Sequence, residues 1–367
     1  MKNSVVTATA ALAAAATAAP PRYGGHHPPG RPGGYPGHGP NADHWKLKKF
    51  TSLVAFGDSY TDDSRLGYFF ANNGSAPPVG WVNPANYMSA DGGRPWPQYV
   101  AQYSGANVYN YAVSGAVCSN NITPRQVSGN TFNFPDVEGY EVPAYIADSR
   151  YVDGNGTKFM INPPDETVHS IFIGTNDLGN DAFITDSQVA NKTITDYTDC
   201  IFNAIQGVYD NGGRYFVLQN VAPLNLAPQY ALPGKGGLET TQYWENKSGN
   251  LTEISYKMKE YVSLVNNVFK YQTPYETEVA KRFPGAHIAI MDIHGLITDM
   301  YNNPSEYLNG TAPLDVTSYV NLNGTQNASP DSFLWYDELH PSEQTDRVIA
   351  REFVGVVNGD SQWATYW

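Results

Sequence analysis

Leu53-Val54-Ala55-Phe56-Gly57-Asp58-Ser59-Tyr60-Thr61-Asp62 is the stretch that decides how this chain is read. Four apolar residues form a run of the length of a buried strand, and Gly-Asp-Ser closes it in a turn. A serine at that point is aimed by a rigid element and exposed by the turn, a placement suited to a nucleophile. Apolar runs closed by Gly, Asn, Asp or Pro recur at residues 52–56, 107–113, 170–173, 215–218 and 288–291. Their length and β-branched content predict five strands.

Helical patterns lie between these runs. Residues 96–103 follow Pro95, and residues 193–211 carry Ile194, Tyr197, Ile201, Ile205 and Val208 at helical spacing. Residues 251–283 place Ile254, Met258, Tyr261, Val262, Val265 and Val268 on one side, with Pro274 expected to break or bend the helix. Residues 342–357 predict a last helix with Ser342 as N-cap. Strands separated by helices predict an α/β fold with a parallel sheet covered on both faces. Active sites in such sheets sit beyond the carboxyl ends of strands, where Ser59, Gly115, Asn176 and Asp292 fall. The long insertions 71–94, 119–168, 223–250 and 299–333 are rich in Asn, Gly, Pro, Tyr and Trp and are expected to shape a pocket.

The ends of the chain differ in kind. Lys2, the alanine-rich run 5–16 and Ala16-Thr17-Ala18 predict a signal peptide over residues 1–18, too short and too weakly apolar for a membrane anchor. A secreted, extracellular product follows. Residues 19–44 are rich in Pro, Gly and His and lack the aliphatic side chains that offset ordering entropy. They are expected to be a disordered linker or a propeptide, with His26, His27 and His38 solvated. Residues 45–367 have globular composition and are expected to be one domain. A formal net charge of −13 argues against nucleic acid and anionic membranes as partners. A monomer is expected.

The two cysteines, Cys118 and Cys200, suit one disulfide in an oxidising compartment, the alternative being two buried thiols. Asn-x-Ser/Thr sequons start at Asn73, Asn121, Asn155, Asn191, Asn246, Asn250, Asn309, Asn323 and Asn327. Nine of them behind a signal peptide predict a glycoprotein and mark segments that should face solvent.

The chemistry-bearing residues fall into a set. A serine hydroxyl needs a base, histidine has a suitable unperturbed pKa of about 6.5, and a carboxylate must hold the ring in one tautomer. Asp337-Glu338-Leu339-His340-Pro341 supplies the last two within one turn of chain, with Asp337 pointing in and Glu338 away. A tetrahedral intermediate also needs donors for its oxyanion. The Ser59 N–H, the Gly115 N–H in Ala112-Val113-Ser114-Gly115-Ala116, and the Asn176 amide in Gly174-Thr175-Asn176-Asp177 are the candidates. Asp58, Asp62 and Asp177 are read as turn holders, and His169, His287 and His294 as structural. No GxGxxG, Walker or zinc-ligand spacing occurs, so neither cofactor nor metal is expected.

In block order these residues resemble the GDSL, or SGNH, hydrolases of esterase and lipase type. The letters of the second name are Ser59, Gly115, Asn176 and His340. The first block is Phe56-Gly57-Asp58-Ser59-Tyr60, with Tyr60 where the family has leucine. The resemblance spans residues 50–357. It implies a flavodoxin-like three-layer α/β/α sandwich around a five-stranded parallel sheet, hydrolysis of acyl esters and no cofactor. Gly92-Gly93-Arg94-Pro95-Trp96-Pro97-Gln98-Tyr99 is similar to secreted fungal members, among them acetylesterases of carbohydrate esterase family sixteen, which deacetylate hemicellulose oligosaccharides. That resemblance implies a short, acetyl-type acyl group on a plant cell-wall carbohydrate, through an acyl-enzyme, as the substrate. Trp81, Trp96 and Trp335, with Tyr140, lie in or beside the long loops and are candidates to stack on sugars, packing being the alternative for each. Two other readings stay open: a lipase or broad carboxylesterase with the same residues, and a non-catalytic carbohydrate-binding protein.

Overall fold

The computed structural model describes residues 41–367 except 85, 128–131, 248, 312, 321–323 and 328. The expected signal peptide, and the expected linker up to residue 40, lie outside the described residues. Ala42–His44, at the end of the expected linker, form a single 3-10 turn, and Trp45, the first residue of the expected domain, is buried. The Trp45 ring packs edge-on against Tyr215, and its Nε1 donates to the Val357 carbonyl at 2.7 Å.

The strands are β1 (Ser52–Gly57), β2 (Asn107–Asn110), β3 (Thr167–Phe172), β4 (Tyr215–Gln219), β5 (His287–Met291), β6 (Asp315–Ser318), β7 (Phe333–Trp335) and β8 (Ala364–Tyr366). The helices are α1 (Arg65–Ala71), α2 (Trp96–Ser104), α3 (Val142–Arg150), α4 (Ile194–Asp210), α5 (Leu251–Pro274), α6 (Ile293–Asn302), α7 (Pro304–Tyr307) and α8 (Glu343–Val357). The main sheet runs β2-β1-β3-β4-β5-β8. Its first five strands are parallel and are the five expected ones, in the doubly wound order 2-1-3-4-5. The sheet has a sixth strand, not five in all: β8 pairs antiparallel with β5, placing Tyr366 opposite Ala289. β6 and β7 form a separate parallel pair.

Every residue of β1, β3 and β4 is buried, as expected of strands covered on both faces. Burying each large aliphatic or phenyl side chain there contributes roughly 1.5–3 kcal/mol relative to exposure. The helices pack in two groups, α2 and α6 on α8, and α3 with α5 on α4, and β5 touches α5 and α8. α4 starts in a capping box, Thr193 with Asp196. The Ser342 Oγ accepts from the Thr345 N–H, as an N-cap worth about 1 kcal/mol does. Pro274 ends the regular part of α5, and Tyr275–Val279 continue as a wider π-turn.

Cys118 and Cys200 form a disulfide, with Cα atoms 6.3 Å apart. It ties the segment after β2 to α4 across 82 residues of sequence. Loop-closure entropy gives such a link about 4–5 kcal/mol. No helix among the described residues is long and apolar enough to cross a membrane. Eight of the nine sequon asparagines are exposed, and Asn323 lies outside the described residues. The Nδ2 of Asn327, the atom a glycan would occupy, already donates to the Tyr319 carbonyl at 2.9 Å.

Candidate active site

The site forms where the strand order reverses, beyond the carboxyl ends of β1, β2 and β3. At the end of β1, Gly57 has φ +155°, and a Cβ there would stand 2.2 Å from the Phe172 carbonyl oxygen on β3. Glycine is therefore required for β1 and β3 to run side by side up to the turn. The turn is then fixed by carboxylates, as expected. Asp58 Oδ1 accepts from the Tyr60 N–H at 3.1 Å, and Asp62 Oδ1 from the Arg65 N–H at 2.6 Å.

Ser59 Oγ lies 2.8 Å from His340 Nε2. His340 Nδ1 lies 3.0 Å and 3.1 Å from the two Asp337 oxygens. With the Nδ1 proton on Asp337, the Nε2 lone pair faces the serine hydroxyl. Asp337 Oδ1 also accepts the backbone N–H groups of Leu339 and His340, at 2.8 Å and 2.7 Å. This is how four residues of chain hold Asp337 and His340 in register. Glu338 points away, its Oε2 accepting from Gln242 at 2.9 Å. Burial by itself would lower the His340 pKa. Asp337 reverses that, with Asp91 and Asp58 adding to it, and the net direction is up. Burial by itself would raise Asp337, but His340 and its donors hold it down.

The two other oxyanion candidates converge on the same place. Gly115 has φ +84°, and a Cβ there would meet the Phe134 ring at 2.4 Å. Its loop is braced to both neighbours. Asp62 Oδ2 accepts from the Ser114 N–H and Oγ, each at 2.8 Å. Asp177 Oδ1 accepts from the Cys118 N–H at 3.0 Å. Asn176 Nδ2 donates to the Ala116 carbonyl at 2.8 Å. A cavity of about 260 Å³ joins Ser59, Gly115, Asn176 and His340, walled by Leu66, Phe70, Arg125, Phe134, Tyr230 and Tyr243 among others.

The tryptophans do not reach it. Trp96 and Trp335 are fully buried, so neither has a face to offer a sugar, which corrects that expectation. Trp96 packs on Phe353 and its Nε1 donates to Thr61 Oγ1, while Trp335 sits within β7. Trp81 is half-buried against Tyr68 and Arg65, and Tyr140 packs on Phe69. His294, just after β5, does not line the cavity. Among the described residues no group of three or more His, Cys, Asp or Glu side chains is placed to hold a metal ion.

Three neighbours of the site were not anticipated. Tyr243, from the 223–250 insertion, donates its hydroxyl to Asp337 Oδ2 at 2.7 Å, and its ring stands edge-on to His340. Arg125, from the 119–168 insertion, donates to Asn176 Oδ1 and, at 3.3 Å, to the Gly115 carbonyl. Asp91 is fully buried, with one oxygen unpartnered and the other accepting from Ser89 Oγ. Burial raises its pKa to about 7, and burial together with the nearby Asp91 raises that of Asp346 on α8, whose two oxygens are also unpartnered. The Gly92-Gly93-Arg94 stretch next to Asp91 packs on Tyr336, Glu343 and Tyr99. No local signal marks Arg125 or Tyr243, and Asp91 is distinguished only by adjoining Gly92.

The arrangement supplies a nucleophile, a base, an orienting acid and oxyanion donors around one small cavity. Comparisons with known proteins place the chain in a family. Residues 53–353 match the model of the GDSL-like lipase/acylhydrolase family. An acetylesterase of Hypocrea jecorina is 40% identical over 326 residues, covering 87% of this chain and 92% of the relative. An acetylesterase of Thermothelomyces thermophilus is 24% identical over 313 residues, 82% and 85% of the two chains. Among solved structures, Axe2, an acetylxylan esterase from Geobacillus stearothermophilus, superposes with a TM-score of 0.44 at 14% identity, over 85% of this chain and 96% of that one. The chain belongs to the GDSL-like lipase/acylhydrolase family and is a carboxylic ester hydrolase.

Proposed function

We propose that this protein is a secreted, monomeric, glycosylated esterase that removes short acyl groups, acetyl foremost, from plant cell-wall carbohydrates through an acyl-enzyme on Ser59. The observation that carries the reading is the unbroken Ser59–His340–Asp337 chain opening on a cavity of about 260 Å³. That volume lies below the range of roughly 300–1,000 Å³ of sites that enclose drug-sized ligands, which favours a small acyl group. The likeness to a fungal acetylesterase points the same way.

Ser59 Oγ attacks the acyl carbonyl as His340 Nε2 takes its proton, and Asp337 stabilises the imidazolium. The oxyanion is held by the N–H groups of Ser59 and Gly115 and by Asn176 Nδ2, each such donor being worth about 3 kcal/mol of barrier. Collapse breaks the ester C–O bond, and His340 returns the proton to the departing alcohol. Water, deprotonated by His340, then releases the acid from Ser59. Nothing in this sequence calls on a metal or cofactor.

The test has two arms. Ser59→Ala should abolish hydrolysis of 4-nitrophenyl acetate, and retained activity would sink the assignment. The native enzyme should release acetate from acetylated xylo-oligosaccharides faster than it cleaves long-chain triglycerides. Leu66 and the half-exposed Phe70 at the cavity favour the lipase as second reading, and a preference for long acyl chains in an ester series would select it. A protein that only bound carbohydrate would be indifferent to Ser59→Ala.

A further inference from the structure

We infer that Arg125 is a positioning residue of the oxyanion hole, fixing and polarising the Asn176 amide. The inference rests on the reading of Ser59, Gly115 and Asn176 above and deepens it. Asn176 has two protein partners of opposite character. Its Oδ1 accepts from Arg125, and its Nδ2 donates to the Ala116 carbonyl at 2.8 Å. Both demand the same orientation of the amide. A flip would set Nδ2 against the guanidinium and Oδ1 against a carbonyl, two repulsions in a buried place. The second Nδ2 hydrogen has no protein acceptor among the described residues, so it is free for the oxyanion.

The charge acts through the same amide as the geometry. Arg125 lines the cavity beside Ser59, and among the described residues no carboxylate lies within ion-pair distance of it. Its neighbours are the Gly115 carbonyl and the Phe134 ring face, 5.3 Å from the guanidinium carbon. Donating to Oδ1 also strengthens the donor power of Nδ2 through the same amide. Arginine suits both tasks, because its planar fork serves two acceptors and stays ionised.

Steady-state kinetics on 4-nitrophenyl acetate would decide the matter, with Ser59→Ala, Asn176→Ala, Arg125→Ala and the Arg125→Ala/Asn176→Ala double variant. Arg125→Ala should lower kcat roughly 10- to 100-fold with KM within about threefold. The double variant should be no worse than Asn176→Ala alone, within about threefold, because Arg125 acts through Asn176. Millimolar guanidinium should restore part of the activity of Arg125→Ala and none of Asn176→Ala. An unchanged kcat, a loss confined to KM, or losses that multiply in the double variant each overturn the inference. If Arg125→Ala does not fold, Arg125→Lys and Arg125→Gln carry the test: kcat should fall from wild type to Lys to Gln, and a Gln variant equal to wild type overturns it. Retained hydrolysis by Ser59→Ala defeats the parent reading instead, whereas a dead Ser59→Ala beside an unaffected Arg125→Ala defeats this inference alone.

Discussion

Two histidines are equally buried in this molecule, His340 at 3% and His169 at 2% exposure, yet their basicities move in opposite directions. His169 sits within β3 with a tyrosine hydroxyl, Tyr145, on one nitrogen at 2.8 Å and the Tyr215 carbonyl near the other. Burial lowers its pKa to about 4, so it is a neutral hydrogen-bonding core residue. His340 has the same desolvation, but carboxylates surround it and its pKa rises. Burial alone therefore does not make a base. The carboxylates facing the ring set the direction of its pKa.

The sharpest way to break this contrast is to exchange the two residues' fates. His340→Asn should lower kcat by 10⁴ or more, on the order seen when a triad base is lost. His169→Gln should leave kcat within roughly threefold, measured on the same ester. Comparable losses in the two variants would show that the assignment of roles is wrong. Next in size, Asp337→Asn should lower kcat roughly 10²- to 10⁴-fold, because the ring loses both its tautomer control and its counter-charge. Tyr243→Phe, which removes one hydroxyl from Asp337, should cost less than about tenfold.

A smaller effect tests the charge argument itself. In the proposed mechanism His340 must be neutral to accept the Ser59 proton, and its pKa is raised, so kcat/KM should fall on acidification from a point above pH 6.5. Asp91 is one of the charges that raise it. Asp91→Asn should move that acid limb to lower pH, on the order of half a unit. A limb that stays put would remove Asp91 from the account.

The smallest effect is on stability, and its sign separates the two regions. For His169 the folded pKa of about 4 lies below the unfolded 6.5, so its contribution is present above pH 6.5 and is lost as pH falls toward 4. Asp58, pushed up to about 6 by burial, and Asp177, pushed up to about 7, behave oppositely. Their contributions are present below the unfolded value of 3.8 and are lost as pH rises through 6 and 7. His340, raised, adds to the same side. The balance predicts a melting temperature several degrees higher near pH 5.5 than near pH 8.5, while kcat/KM runs the other way. Scanning calorimetry at the two pH values checks this, and His169→Gln should widen the difference.

What the sequence made readable, and what it hid, follows from where each residue gets its position. Ser59, Gly115 and Asn176 stand directly after strands, and a strand end is visible as an apolar run that stops. Asp337 and His340 were readable because a single turn of chain joins them. Arg125 and Tyr243 come from long insertions whose path depends on contacts with distant elements, so nothing local marks them. Trp96 and Trp335 look alike in sequence to exposed loop aromatics, but α8 and its flanking strand cover them. β8 escaped because three residues are too few to carry a period.

That last strand has a consequence for anyone handling the protein. Ile288 and Trp367 exchange backbone hydrogen bonds at 3.0 Å and 2.9 Å, and Ala364–Tyr366 occupy the rim of β5. Trimming the chain before Trp363 would bare the polar backbone of an apolar strand, the kind of rim along which copies stack into aggregates. A purification handle is therefore better attached ahead of residue 41 than fused directly to Trp367, where it would pull on the seam that keeps the sheet from recruiting its neighbours.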